Sequence, residues 1–163
     1  MSPSVIGSAH AGITVSDMDA SLAFYRDGLG LEVEFDLVRD ARYQHEVLAL
    51  PFRDIRMAQL VIPGPGLGRI ELLEYRGAER RPAASAPCDP ATGHLCLVVD
   101  DATAMLERMT GLGYRSRSAT VVDIDAGANT GGLLVYLADP DGYWVELLQR
   151  PAAPDTPPGD PAS

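Results

Sequence analysis

A histidine opens an alternating, β-branched run ending in an acidic residue at two places, H-A-G-I-T-V-S-D at 10–17 and H-L-C-L-V-V-D-D at 94–101. Each run leads into a Gly-Leu-Gly, at Gly28-Leu29-Gly30 and Gly111-Leu112-Gly113, and later into a Glu-Leu-Leu, at Glu71-Leu72-Leu73 and Glu146-Leu147-Leu148. A pattern written twice constrains the chain to two like units. Each copy brings one histidine and one glutamate, and two imidazoles with two carboxylates on strands make a metal site a natural reading.

Read in order, the first copy predicts a strand over His10–Val15, then a helix capped by Ser16 or Asp17 and running through Ser21, Leu22, Phe24 and Tyr25. Gly28 or Gly30 ends that helix in a left-handed turn. Strands follow at Leu31–Val38, Tyr43–Leu50, Arg56–Ile62 and Arg69–Tyr75. The second copy predicts a strand at His94–Val99, a helix from Asp101 to Leu112, and strands at Arg115–Val122, Leu133–Ala138 and Tyr143–Leu148. The last two are joined by the hairpin turn Asp139-Pro140-Asp141-Gly142. Asp123–Gly132 reads as a mobile loop.

The expected organisation is a flexible N-terminus at 1–8, a first βαβββ module at 9–76, a linker at 77–93, a second βαβββ module at 94–150 and a disordered tail at 151–163. The linker carries three prolines and no periodicity, and the tail five prolines in 13 residues. The fold class is α+β: two tandem βαβββ modules forming a curved, cleft-enclosing sheet.

A formal charge of −10 argues against nucleic acid or an anionic membrane surface as partner. No apolar run approaches the roughly 20 residues of a membrane span, and the N-terminus lacks the basic start and apolar core of a secretory signal. Cytoplasm is the expected location. The two cysteines, Cys88 and Cys96, read as reduced thiols, with Cys96 as small apolar packing.

Alternation puts His10 on one face with Gly12 and Thr14, and His94 with Cys96 and Val98. It puts Glu71 with Arg69, Leu73 and Tyr75, and Glu146 with Trp144 and Leu148. A strand-helix-strand-strand-strand unit buries one sheet face under its helix and leaves the other bare, so two units create a cleft where the four donors converge. Tyr75 and Trp144 are placed to stack on a flat substrate, Arg69 to bind an anion or pair with an acid, and His45 to line the pocket. Phe24, Tyr25, Leu106 and Met109 are expected in the helix core.

The segments H-A-G-I-T-V-S-D-M-D-A-S-L-A-F-Y-R-D-G-L-G-L, G-R-I-E-L-L-E-Y, G-H-L-C-L-V-V-D-D and L-A-D-P-D-G-Y-W-V-E-L-L resemble the vicinal oxygen chelate superfamily over roughly 9–150. That superfamily includes glyoxalase I, methylmalonyl-CoA epimerase, extradiol dioxygenases, fosfomycin-resistance enzymes and bleomycin-binding proteins. The resemblance implies the glyoxalase/bleomycin resistance fold and a metal held by His10, Glu71, His94 and Glu146. It also implies a homodimer with sites shared between subunits.

Two neutral imidazoles and two carboxylates suit one divalent ion per site, Zn²⁺, Ni²⁺, Co²⁺, Mn²⁺ or Fe²⁺. Such an ion polarises a carbonyl, and a glutamate beside it moves a proton between adjacent carbons. Glu146 and Glu71 are the two candidates for that base, with analogy favouring Glu146. The expected activity is lyase, isomerase or epimerase chemistry on a small molecule. A ring-cleaving dioxygenase is the alternative enzyme, although a carboxylate at Glu71 would fill a position needed by the diol or O₂. A non-catalytic binder of an antibiotic is the other alternative. The absence of a basic cluster argues against glutathione as the substrate's carrier.

Overall fold

The structure, a computed structural model, describes residues 3–66, 68–81 and 86–152. Residues 153–163 of the expected tail and 82–85 of the expected linker lie outside the described residues. From residue 3 to residue 8 the chain is exposed and forms no regular element.

Strand β1 (Ala11–Thr14) runs into Asp17, whose carboxylate accepts the backbone N–H groups of Asp19 and Ala20 and caps helix α1 (Met18–Leu22). The helix widens over Ala23–Gly28, where Leu29 N–H reaches back to the Phe24 carbonyl at 2.9 Å, before Gly30 turns left-handed at φ 80°. Strands β2 (Glu32–Arg39), β3 (Asp54–Val61) and β4 (Arg69–Arg76) complete a four-stranded sheet in the order β1-β4-β3-β2. Its β1–β4 pair is parallel and the others antiparallel.

The second half repeats the path. Strand β5 (His94–Val98) precedes helix α3 (Ala102–Gly111), capped by the Asp101 side chain on Ala104 N–H, and Gly113 ends it at φ 91°. Strands β6 (Arg115–Ser116), β7 (Val122–Asp123), β8 (Leu133–Ala138) and β9 (Trp144–Gln149) follow. The order is β5-β9-β8-β6, with β7 also on β8 and β5–β9 parallel. Both halves therefore place the glutamate-bearing strand beside the one that His10 precedes or His94 opens.

Three expectations need correction or refinement. Tyr43–Leu50 is not a strand: Arg42–Leu48 forms helix α2. Its apolar residues Tyr43 and Val47 face outward, buried Gln44 takes the inner face, and Arg42 pairs with Glu46 one turn on at 2.8 Å. The single strand expected over Arg115–Val122 is two short pieces, because Ser116 and Ser118 hydroxyls bond the carbonyls of Ser118 and Thr120 and break the ladder. The loop expected over Asp123–Gly132 begins after Asp123, which belongs to β7, and is closed on itself, Gly131 N–H bonding Ile124 C=O and Ile124 N–H bonding Gly132 C=O.

One face of each sheet packs into a shared core. Ile13, Ile70 and Leu72 of the first sheet and Leu97, Leu137 and Leu147 of the second join the helix residues Phe24, Tyr25, Leu106 and Met109 in one buried cluster. The first helix and α3 therefore turn their apolar faces onto this core, and the opposite sheet faces remain accessible. Gly12, Thr14, Cys96 and Val98 are all exposed there. No helix among the described residues is long and apolar enough to cross a membrane.

Candidate active site

His10 and Glu71 meet on the open face of the first sheet, Nε2 to Oε2 at 3.5 Å, because Glu71 is level with Gly12 across the parallel β1–β4 pair. His94 and Glu146 meet in the same way on the second sheet at 3.0 Å, with Glu146 level with Cys96. The glutamates are the deeper members of both pairs, their side chains 11% and 15% exposed against 38% and 46% for the histidines. Within one chain the four residues form two pairs: among the described residues no three His, Cys, Asp or Glu side chains gather closely enough to hold an ion.

The pairs still suit a metal. Donors bonded at about 2.0–2.2 Å to one ion sit roughly 3.0 Å apart at a right angle and roughly 3.4 Å apart at a tetrahedral angle. The separations of 3.0 and 3.5 Å are those of adjacent ligands, and the combined set of two imidazoles and two carboxylates balances a divalent charge.

The surroundings of the two glutamates differ. Tyr136 on β8, directly opposite Glu146 across the antiparallel ladder, donates its hydroxyl to Glu146 Oε2 at 2.5 Å. The Cys96 thiol donates to Glu146 Oε1 at 3.3 Å, and the His94 ring meets Tyr136 edge-on with centroids 5.4 Å apart. Burial first, then the neighbouring carboxylate, pushes the Cys96 thiol up to about 11 and raises Tyr136 as well, so both remain protonated donors at neutral pH. Cys96 thus does more than fill space. Tyr136 was missed in the sequence because only the hairpin register, counted back across Asp139–Tyr143, places it opposite Glu146.

Arg69 grips Glu34 through two bonds of 2.8 and 3.1 Å. His45 lies on helix α2, bonds Asp40 at 2.7 Å and stacks on Phe52 at 4.1 Å. Phe52 in turn meets Tyr75 edge-on, and burial, then the Glu71 charge, raises the Tyr75 hydroxyl above its ordinary value. Tyr75 lines a groove of about 660 Å³ with Thr14, Ser16, Arg80 and Tyr143. Trp144 carries the Arg117 guanidinium 5.2 Å above its ring.

A family model described as Glyoxalase/Bleomycin resistance protein/Dioxygenase superfamily matches residues 7–147. A lactoylglutathione lyase from Pseudomonas putida is 31% identical over 154 residues, covering 86% of this chain and 83% of that protein. A 2-epi-5-epi-valiolone epimerase from Actinomyces sp is 27% identical over 154 residues, covering 92% and 82%. A glyoxalase family protein from Bacillus cereus superposes with TM-score 0.76 at 19% identity over 91% of this chain and 97% of that one. The glyoxalase I of Leishmania major gives 0.57 at 25% identity, over 86% and 84%.

Proposed function

This chain belongs to the Glyoxalase/Bleomycin resistance protein/Dioxygenase superfamily, and from that membership we propose a divalent-metal-dependent lyase, isomerase or epimerase acting next to a carbonyl. The observation that carries the reading is the pair of imidazole–carboxylate contacts at equivalent places in the two halves, each spaced as neighbouring ligands of one ion. Relatives named as a lyase and as an epimerase lean the same way. Both chemistries can begin by taking one proton from the carbon next to a carbonyl.

His10, Glu71, His94 and Glu146 would hold the ion. Because each chain offers two half-sites on outward faces, the quartet is completed when the first sheet of one subunit meets the second sheet of another. Gly12 and Thr14 on one face, and Val98 (56% exposed) on the other, are the surfaces such a contact covers.

When bound, the ion would polarise the substrate carbonyl and acidify the neighbouring C–H bond. A glutamate carboxylate takes that proton and returns it to the adjacent carbon or to the opposite face. Tyr75, on the same strand as Glu71, lines the groove. Arg69 is already committed to Glu34 and is poorly placed to serve a second anion.

Elemental analysis of the purified protein tests the reading: about one divalent ion per chain is expected in the wild type and none after His94→Ala. Equal, negligible metal in both proteins would overturn it and leave a non-catalytic binder.

A further inference from the structure

The register of the second sheet gathers side chains that the sequence scatters. Arg115 is level with Ala138, and Ala138 with Trp144. One step along, Arg117 N–H bonds the Tyr136 carbonyl at 2.9 Å, which sets Arg117 level with Tyr136 and, across β8, with Glu146. Residues paired across a ladder share a face, so both arginines rise from the face that carries Trp144, Glu146 and His94. The Arg117 guanidinium lies over the Trp144 ring, its central carbon 5.2 Å from the centroid. A cation is held there by the negative face of the indole, and the N–H groups along the guanidinium edge stay free for another partner. Elsewhere Arg56 grips Asp19 and Asp36, and Arg69 grips Glu34. Among the described residues no carboxylate pairs with Arg115 or Arg117, although the chain holds 23 acidic residues for 13 basic ones.

Resting on the reading of the site as a metal-dependent centre acting beside a carbonyl, we propose that Arg117, held over Trp144 and with Arg115 beside it, binds a carboxylate of the substrate. The substrate class is then an oxo acid, its carbonyl at His94 and Glu146 and its carboxylate at the rim of the open face. The strand order β5-β9-β8-β6 sets Arg117 two strands from Glu146, about 10 Å between backbones, which leaves room for a short carbon spacer. The rim is open on that side. The ladder of β6 stops at Arg117, where Ser116 Oγ turns to the Ser118 carbonyl at 2.6 Å, and β7 rejoins β8 only at Leu133 and Leu134. A monoanion suits this place better than a dianion. One guanidinium edge matches one carboxylate as a fork, and the chain's charge of −10 repels each further negative charge. Trp144 is a positioning residue here, acting through Arg117.

The test is binding of 4-oxopentanoate, its methyl ester and inorganic phosphate to the purified full chain at constant ionic strength. Trp144 is the chain's one tryptophan, so its emission reports occupancy beside Arg117, and calorimetry gives the affinities. 4-Oxopentanoate should change the emission saturably and bind about tenfold or more tighter than the ester, the worth of a charge-assisted hydrogen bond. Arg117→Ala should erase that preference, and Arg117→Lys should recover only part of it, because an ammonium cannot make the fork. Arg115→Ala should weaken binding less than Arg117→Ala does. Trp144→Phe, which keeps an aromatic face, should hold the calorimetric affinity that Trp144→Leu loses. An Arg117→Ala protein that keeps the wild-type urea midpoint and still favours the acid over its ester overturns the proposal. Phosphate binding tighter than 4-oxopentanoate overturns it too, and so does a wild type with no saturable binding, whether or not it carries a divalent ion. A wild type that lacks the ion yet binds the acid through Arg117 overturns the metal reading and leaves the anion site standing.

Discussion

The Tyr25 hydroxyl donates to Asp139 Oδ2 at 3.0 Å, and both side chains are buried. Tyr25 sits in the widened end of the first helix and Asp139 opens the β8–β9 turn, so the bond ties one half of the chain to the other through the core. Asp139 spends its second oxygen on the N–H groups of Asp141 and Tyr143, which shapes the turn leading into the Glu146 strand. Tyr25→Phe removes the donor and leaves a buried carboxylate oxygen unpaired. The expected loss is about 1–3 kcal/mol, read as a lower urea midpoint with an unchanged slope.

The same carboxyl gives a pH dependence with a definite sign. Burial raises Asp139 above its ordinary value, against the lowering pull of the Tyr143 N–H, the Tyr25 hydroxyl and the Asp141 N–H. Between the unfolded value near 3.8 and that raised value the native state binds more protons than the unfolded chain, so this contribution is complete below pH ~4 and fades as pH rises. Asp139→Asn cannot titrate. Urea unfolding at a series of pH values should show the wild-type advantage over Asp139→Asn shrinking as pH climbs from about 4, and an advantage that grows would contradict the raised carboxyl.

Contact between the two helices sets a third expectation. A Cβ on Gly28 would stand 2.9 Å from both Sδ and Cε of Met109, which is fully buried on α3. Gly28→Ala should cost about 1–3 kcal/mol by overpacking. Because the obstructing atoms are the end of a flexible side chain, shortening it relieves the clash. Gly28→Ala combined with Met109→Ala should destabilise less than the sum of the two single changes, by more than about 0.5 kcal/mol. Strict additivity in a thermal-melt cycle would show that the helices do not meet there.

The parts legible in the sequence are those fixed by neighbours along the chain. Asp17 and Asp101 cap helices as their places before apolar stretches imply, and Gly30 and Gly113 end them. The facing of His10, Glu71, His94 and Glu146 followed from a period of two. Helix α2 was not legible, because its apolar residues Tyr43 and Val47 face solvent while the inward position is taken by polar Gln44, which lies 3.4 Å from the Met57 sulfur. Nor could alternation reveal the Tyr136–Glu146 or Tyr25–Asp139 bonds, since each depends on a register or a helix–turn contact that no local pattern encodes. The splitting of the four donors into two pairs is likewise a property of how the halves pack, apolar sheet faces inward and open faces outward.

That splitting makes the sharing of a site between subunits measurable by mixing. His10→Ala damages only the first half of its chain, and His94→Ala only the second. In a dimer of one of each, one site joins two damaged halves, and the other joins the intact first half of the His94→Ala chain to the intact second half of the His10→Ala chain. Unfolded together in equal amounts and refolded, the chains should assemble about half as mixed dimers, restoring roughly a quarter of the wild-type metal content from two proteins that each bind none. A site contained within one chain predicts no recovery at any ratio. Zn²⁺ bound per chain, measured after gel filtration of the refolded mixture, separates the two arrangements without requiring the substrate.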